Sequence, residues 1–324
     1  MDNKTIYKKT LVFSLRRVLW DIISIALILG LGTLGYFILN NMGQNGYIGL
    51  AIGAVIGLIA VIIIMRFVSY ALKAGQIAMI TRGVTEGELP DNVVKEGKKV
   101  VRERFATVAL YFAATKVIKG IFNQIGQGIS KVGQAIGGDA GGAVGDAVGS
   151  AIRTVVNYLC DCCLGWVFYR KEVNAAKATC EGAVLFFKHG KTLAKNMGRV
   201  FGIGLLTLLL IGGAFTGVFY LILSRFSASM AIVYDKVAEA MQNSSNPNWL
   251  THILQNRATL PVAFAAIGGI IIWAIIHSTF IKPYVLTGVL RNYLESGMDD
   301  VPTEESFRVL DSKSPKFQKL HSSL

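Results

Sequence analysis

Forty-four consecutive residues, 22–65, carry no charged side chain, and two shorter runs, 200–224 and 258–281, repeat the pattern. A helix that crosses the hydrocarbon layer needs about 20 apolar residues, because each charge near the bilayer centre costs a few kcal/mol. The first run is therefore long enough for two crossings, folded back at the polar turn Asn40 to Gly46. The expected spans are 18–40, 47–70, 200–224 and 259–281. The fold class that follows is an all-α integral membrane protein with four transmembrane helices and amphipathic interfacial helices.

Two further segments, 105–122 and 152–169, are apolar but interrupted by Lys116 and Lys119 and by Arg153 and Asp161. Both read as interfacial or re-entrant, and if both cross, the count becomes six with the termini still on one side. The chain divides into an N-terminal arm and first hairpin (1–72), an amphipathic region (73–199), a second hairpin (200–294) and a polar tail (295–324) expected to be loosely ordered.

The net charge of +13 would suggest nucleic acid on a polar chain, but here the basic residues collect beside apolar runs. Anionic lipid headgroups explain them, and no nucleic-acid-binding pattern is present. Lys and Arg crowd residues 4–17, 73–104 and 188–199 and are sparse in 40–46 and 225–257, which places both termini in the cytoplasm of a multi-pass cell-membrane protein. Cys160, Cys162, Cys163 and Cys180 then lie inside the cell as reduced thiols.

Small residues recur at every fourth position twice, as Gly49, Gly53 and Gly57 and as Gly133, Gly137, Gly141, Gly145 and Gly149. Such spacing suits close helix packing and raises the expectation of a homo-oligomer. A basic amphipathic stretch follows, with Lys188, Lys191, Lys195 and Arg199 expected to face anionic lipid. Asp21, His277 and Lys282, at or near span ends, are the candidates for lining a pore or cavity, against the plainer reading of boundary residues satisfied by neighbours.

Cys160-Asp161-Cys162-Cys163 lacks the paired spacing of a structural zinc site, so no metal and no other cofactor is expected. Walker-type phosphate loops, H-E-x-x-H pairs and G-x-S-x-G elbows do not occur, which leaves no catalytic residues to name and argues against an enzyme.

Glu88-Leu89-Pro90, followed by an amphipathic helix with Gly97, resembles bacterial and archaeal multi-pass membrane proteins of unknown function over about residues 65–125. The stretch from Cys160 through Lys191–Arg199 to Val289–Ser296 resembles the C-terminal half of choline transporter-like proteins over roughly residues 150–296. The long external domain and several spans of that family are missing, so its substrate is not carried over. The favoured reading is an oligomeric channel or facilitator for a small solute or ion. The alternative is a non-catalytic scaffold that binds lipid or a partner.

Overall fold

The computed structural model describes residues 1–105, 115–121, 158–189, 202–226, 231, 234–235, 237–239, 256, 258–312 and 314–324. All regular structure among them is helical: α1 (Asn3–Asn41), α2 (Gly46–Thr85), α3 (Val93–Arg104), α4 (Tyr158–Tyr169), α5 (Ala175–Lys188), α6 (Gly202–Arg225), α7 (Leu260–Asp299), α8 (Glu304–Asp311) and α9 (Pro315–His321). Residues 115–121 add a further helical turn pair. Four of these, α1, α2, α6 and α7, are long and apolar enough to cross a membrane.

The spanning helices α1, α2 and α7 outrun their apolar segments. At 1.5 Å per residue a 40-residue helix is roughly 60 Å long, about twice the hydrocarbon thickness. Burial along α2 shows how the surplus is used. Ile48, Ile52, Ile59 and Ile63 are exposed, whereas Ala74, Ile77, Met79 and Ile80 are fully or almost fully buried. Side chains of the first kind would be costly in water and belong in lipid; those of the second kind form the core of a helical unit.

Two compact units result, one from 1–197 with 282–324 and one from 198–281, the boundary falling inside α7. In the first unit, α1 and α2 form a hairpin around a turn where Gly43 takes φ 72°, a left-handed conformation suited to glycine. Asn45 caps α2 by accepting from the Tyr47 amide at 3.0 Å. Glycines bring the two backbones together: a Cβ at Gly49 would lie 2.0 Å from the Gly35 carbonyl oxygen, and one at Gly53 2.1 Å from that of Leu31. The face formed by Gly49, Gly53 and Gly57 is therefore covered by α1 of the same chain.

Beyond the hairpin, α3 crosses α2 where Gly97 meets Gly75, and it buries Val93, Val94 and Val101. The described part of α4 has 12 residues and is buried along nearly its whole length, so it forms part of the core of this unit. Arg104 holds its C-terminal end, donating to the carbonyls of Val167 (2.9 Å), Arg170 (3.0 Å) and Val173 (2.8 Å).

The tail differs from the loose polar segment expected. Helices α8 and α9 are short and charged, yet each carries a narrow apolar stripe. Phe307, Leu310 and Phe317 pack with Cys180, Ala183 and Val184 of α5 and with Ile121. Helix α5 itself is buried from Ala178 to Leu185, so its described part lies inside the unit instead of on a lipid surface. Charge dominates the tail's composition and hides the stripe, because one phenylalanine and one leucine per short helix are enough to dock it.

In the second unit α6 and α7 pair through Gly269, where a Cβ would stand 2.2 Å from Thr216 Oγ1 and 2.6 Å from the Gly212 carbonyl oxygen. Each helix contains one π-helical turn, Leu208–Gly212 and His277–Ile281. A proline inside a helix usually bends or ends it, yet α7 continues through Pro283 to Asp299. The wider turn just before Pro283 accommodates its missing N–H and the ring's bulk, as happens within apolar helices.

Candidate functional site

Four helices of the first unit bring polar groups into one buried cluster. On α2, Lys73 and Gln76 are three residues apart and share a face. Lys73 Nζ lies 2.6 Å from Asp161 Oδ1 of α4, whose side chain is 1% exposed. Gln76 is almost fully buried and ties α2 to α1: its Nε2 donates to the Thr10 carbonyl (3.3 Å) and to Ser14 Oγ (3.1 Å), and its Oε1 accepts from Arg17 Nη2 (3.5 Å).

Lys282 of α7 stands over the ring of Tyr158, Nζ to centroid 5.8 Å. It is within electrostatic reach of Asp161, Lys73, Arg17 and Lys119. Tyr158 is 3% exposed, and its hydroxyl has no hydrogen-bond partner among the described residues. Burial, with the Asp161 carboxylate next in effect, pushes that phenol above its usual range. A buried hydroxyl without a partner costs roughly 1–3 kcal/mol, so this one needs a reason.

Next to the cluster lie four thiols, all free and buried. Burial pushes Cys160 up to about 12, Asp161 adding to the effect and the ammonium groups of Lys119 and Lys73 opposing it. Cys180 is likewise pushed up to about 12 by burial, with Asp311 next. These are protonated, unreactive core side chains. Among the described residues no group of three His, Cys, Asp or Glu side chains converges as a metal site would require.

A second polar network satisfies Glu181 of α5, which is 2% exposed. It accepts from Trp166 Nε1 (3.0 Å) and from Arg170 Nε (2.9 Å) and Nη2 (3.2 Å). Those bonds hold the Arg170 guanidinium above its ordinary range. Between α2, α3 and α4 lies a cleft of about 510 Å³ lined by Arg82, Glu86, Glu96 and Lys171 among others. Its charges are mutually paired, Arg82 with Glu86 at 2.7 Å and Lys171 with Glu86 at 3.3 Å, so it presents little net field.

The residues singled out by sequence fall in different places. Asp21 is exposed on α1, while Lys282 joins the buried cluster of the first unit. His277 belongs to the second unit, in the π-helical turn with its ring 5.0 Å from that of Trp273. Lys188 pairs with Asp300 at 2.5 Å. Gly133, Gly137, Gly141, Gly145, Gly149, Lys191, Lys195 and Arg199 lie outside the described residues. Sequence reasoning missed the role of Lys73, Gln76 and Tyr158. The available signal was Asp161, a lone acid in an apolar helix that must find a cation. Comparison with protein-family models, curated proteins and solved structures returns no match.

Proposed function

We propose that this chain is a non-catalytic membrane scaffold, in which four spans hold a helical unit at the membrane boundary where it engages anionic lipid. The observation that carries this reading is the use of the glycine faces. Gly49 and Gly53 touch the backbone of α1, and Gly269 that of α6, so these small surfaces are consumed within single hairpins. A channel assembled through those same faces from several copies would have to open the hairpins first, which weighs against the oligomeric facilitator favoured by sequence.

Support for a shared side for the two termini comes from Arg291, whose guanidinium donates to the Met1 carbonyl and, at 2.5 Å, to Asn3 Oδ1. With the basic flanks of the spans this favours a cytoplasmic first unit. Reconstitution into liposomes tests the reading: ion and small-solute flux is expected to equal that of empty vesicles. A protein-dependent rise in flux would restore the channel in its place.

A further inference from the structure

Helix α3 crosses the first hairpin at a definite height. Gly75 and Gly97 both abut the Phe13 ring, which stands 2.9 Å and 2.8 Å from where their Cβ atoms would be. Phe13 precedes Asp21 by eight positions and Gly75 follows Arg66 by nine, and Asp21 and Arg66 bound the uncharged run. At 1.5 Å per residue both helices put the crossing about 12–14 Å beyond that run. Less the helix radius of roughly 5–6 Å, the near side of α3 comes within about 8 Å of the hydrocarbon, which is the depth of a headgroup layer.

Side-chain contacts tell which face looks that way. Glu96, Val100 and Glu103 line the cleft with Arg82, Thr85 and Glu86, which lie farther along α2 from the run than Gly75 does. Val94 lines a second groove of about 510 Å³ with Val12 and Arg16 of α1, and Arg16 is nearer the run than Phe13. One turn on from Val94 is Lys98, and one more is Arg102. Lys98, Arg102 and Arg16 are exposed and have no ion-pair partner among the described residues, whereas Lys99 on the flank is shared by Glu96 and Glu103 at 3.9 Å. Among the described residues Asp91 is the one acid lining that groove.

We propose that α3 is the surface by which the first unit binds lipid: Lys98 and Arg102, with Arg16 across the groove, contact the phosphates of anionic phospholipids in the leaflet from which the first hairpin emerges. The spans fix these cations at headgroup depth, so lipid phosphate is the anion they meet without any search. Lys188, from the basic stretch expected to face lipid, pairs with Asp300 instead. The proposal rests on the scaffold reading and deepens it, because it names the residues through which anionic lipid is engaged.

Native mass spectrometry of the purified full-length chain in detergent tests the surface, comparing the affinity for dioctanoyl phosphatidylglycerol with that for dioctanoyl phosphatidylcholine. Phosphatidylglycerol is expected to bind more tightly, and Lys98→Gln and Arg102→Gln each to weaken it roughly fivefold, the factor expected for one cation close to an anionic headgroup. Lys171→Gln removes one exposed charge from the cleft on the opposite side of α3 and should leave that affinity unchanged. All three side chains lie on the surface, so the core is untouched by these changes. Equal affinity for both lipids, or a loss as large in Lys171→Gln as in Lys98→Gln, would overturn the proposal. So would an undiminished preference in the double variant Lys98→Gln with Arg102→Gln, which would move lipid contact to another surface and leave the scaffold reading standing. Liposome flux tests that reading separately.

Discussion

The Lys73 ammonium sits 2.6 Å from a carboxylate of Asp161 that is almost wholly removed from solvent, and this pair joins α2 to α4 inside the first unit. A buried ion pair is strongly destabilised by loss of one partner, because the remaining charge is left in a poorly polarisable site. Lys73→Met is expected to cost about 3 kcal/mol, read as a fall in thermal midpoint in detergent. The double change Lys73→Met with Asp161→Leu should recover most of that loss. A single variant as stable as the parent would show that the pair is not structural.

Close backbone approach makes Gly53 intolerant of any side chain. A Cβ there would lie 2.1 Å from the Leu31 carbonyl oxygen, whereas Gly30 has nothing within 4 Å of its Cβ position. Gly53→Leu is expected to splay the first hairpin and speed proteolysis at the already exposed 41–45 turn, and Gly30→Ala to leave the digestion pattern unchanged. Equal patterns for both would contradict the packing.

Arg104 satisfies three carbonyls at once, a geometry that a lysine ammonium cannot reproduce. Arg104→Lys is expected to lose about 2 kcal/mol. Hydrogen exchange should rise first at the end of α4 and in 170–174, and a rise spread evenly over the unit would argue against capping.

The thiols set a pH dependence. Cys160 and Cys180 stand near 12 in the folded chain against an ordinary 9.0, so between those values the folded state holds more protons than the unfolded one. Their contribution is complete below pH 9.0 and declines as pH rises toward 12. Stability measured by denaturant titration should fall over that window, and iodoacetamide at pH 8 should label the native protein only after unfolding. Rapid labelling of the native chain would refute the burial.

Much of the membrane architecture was legible because it depends on composition alone. Twenty residues without a charge are enough to place a span, and the Asn40–Gly46 turn could be read from its polarity. What escaped was everything decided by pairing between distant segments. Asp161 announced a need for a cation without saying that Lys73, 88 positions earlier, would meet it. Gly49 and Gly53 signalled close packing but not whether the partner was α1 or another copy. The docking of Phe307 and Phe317 was masked by the charges around them.

Cysteine substitution at Ile25, Leu29 and Ile59 tests the central claim most directly. All three side chains are more than half exposed on the protein, so only lipid can shield them. In reconstituted vesicles none should react with a membrane-impermeant maleimide, although each should react once the bilayer is dissolved and the chain unfolded. Labelling at these positions in intact vesicles, at the rate of a cysteine placed at the exposed Lys98, would mean that water surrounds the uncharged run, and the architecture described above could not stand.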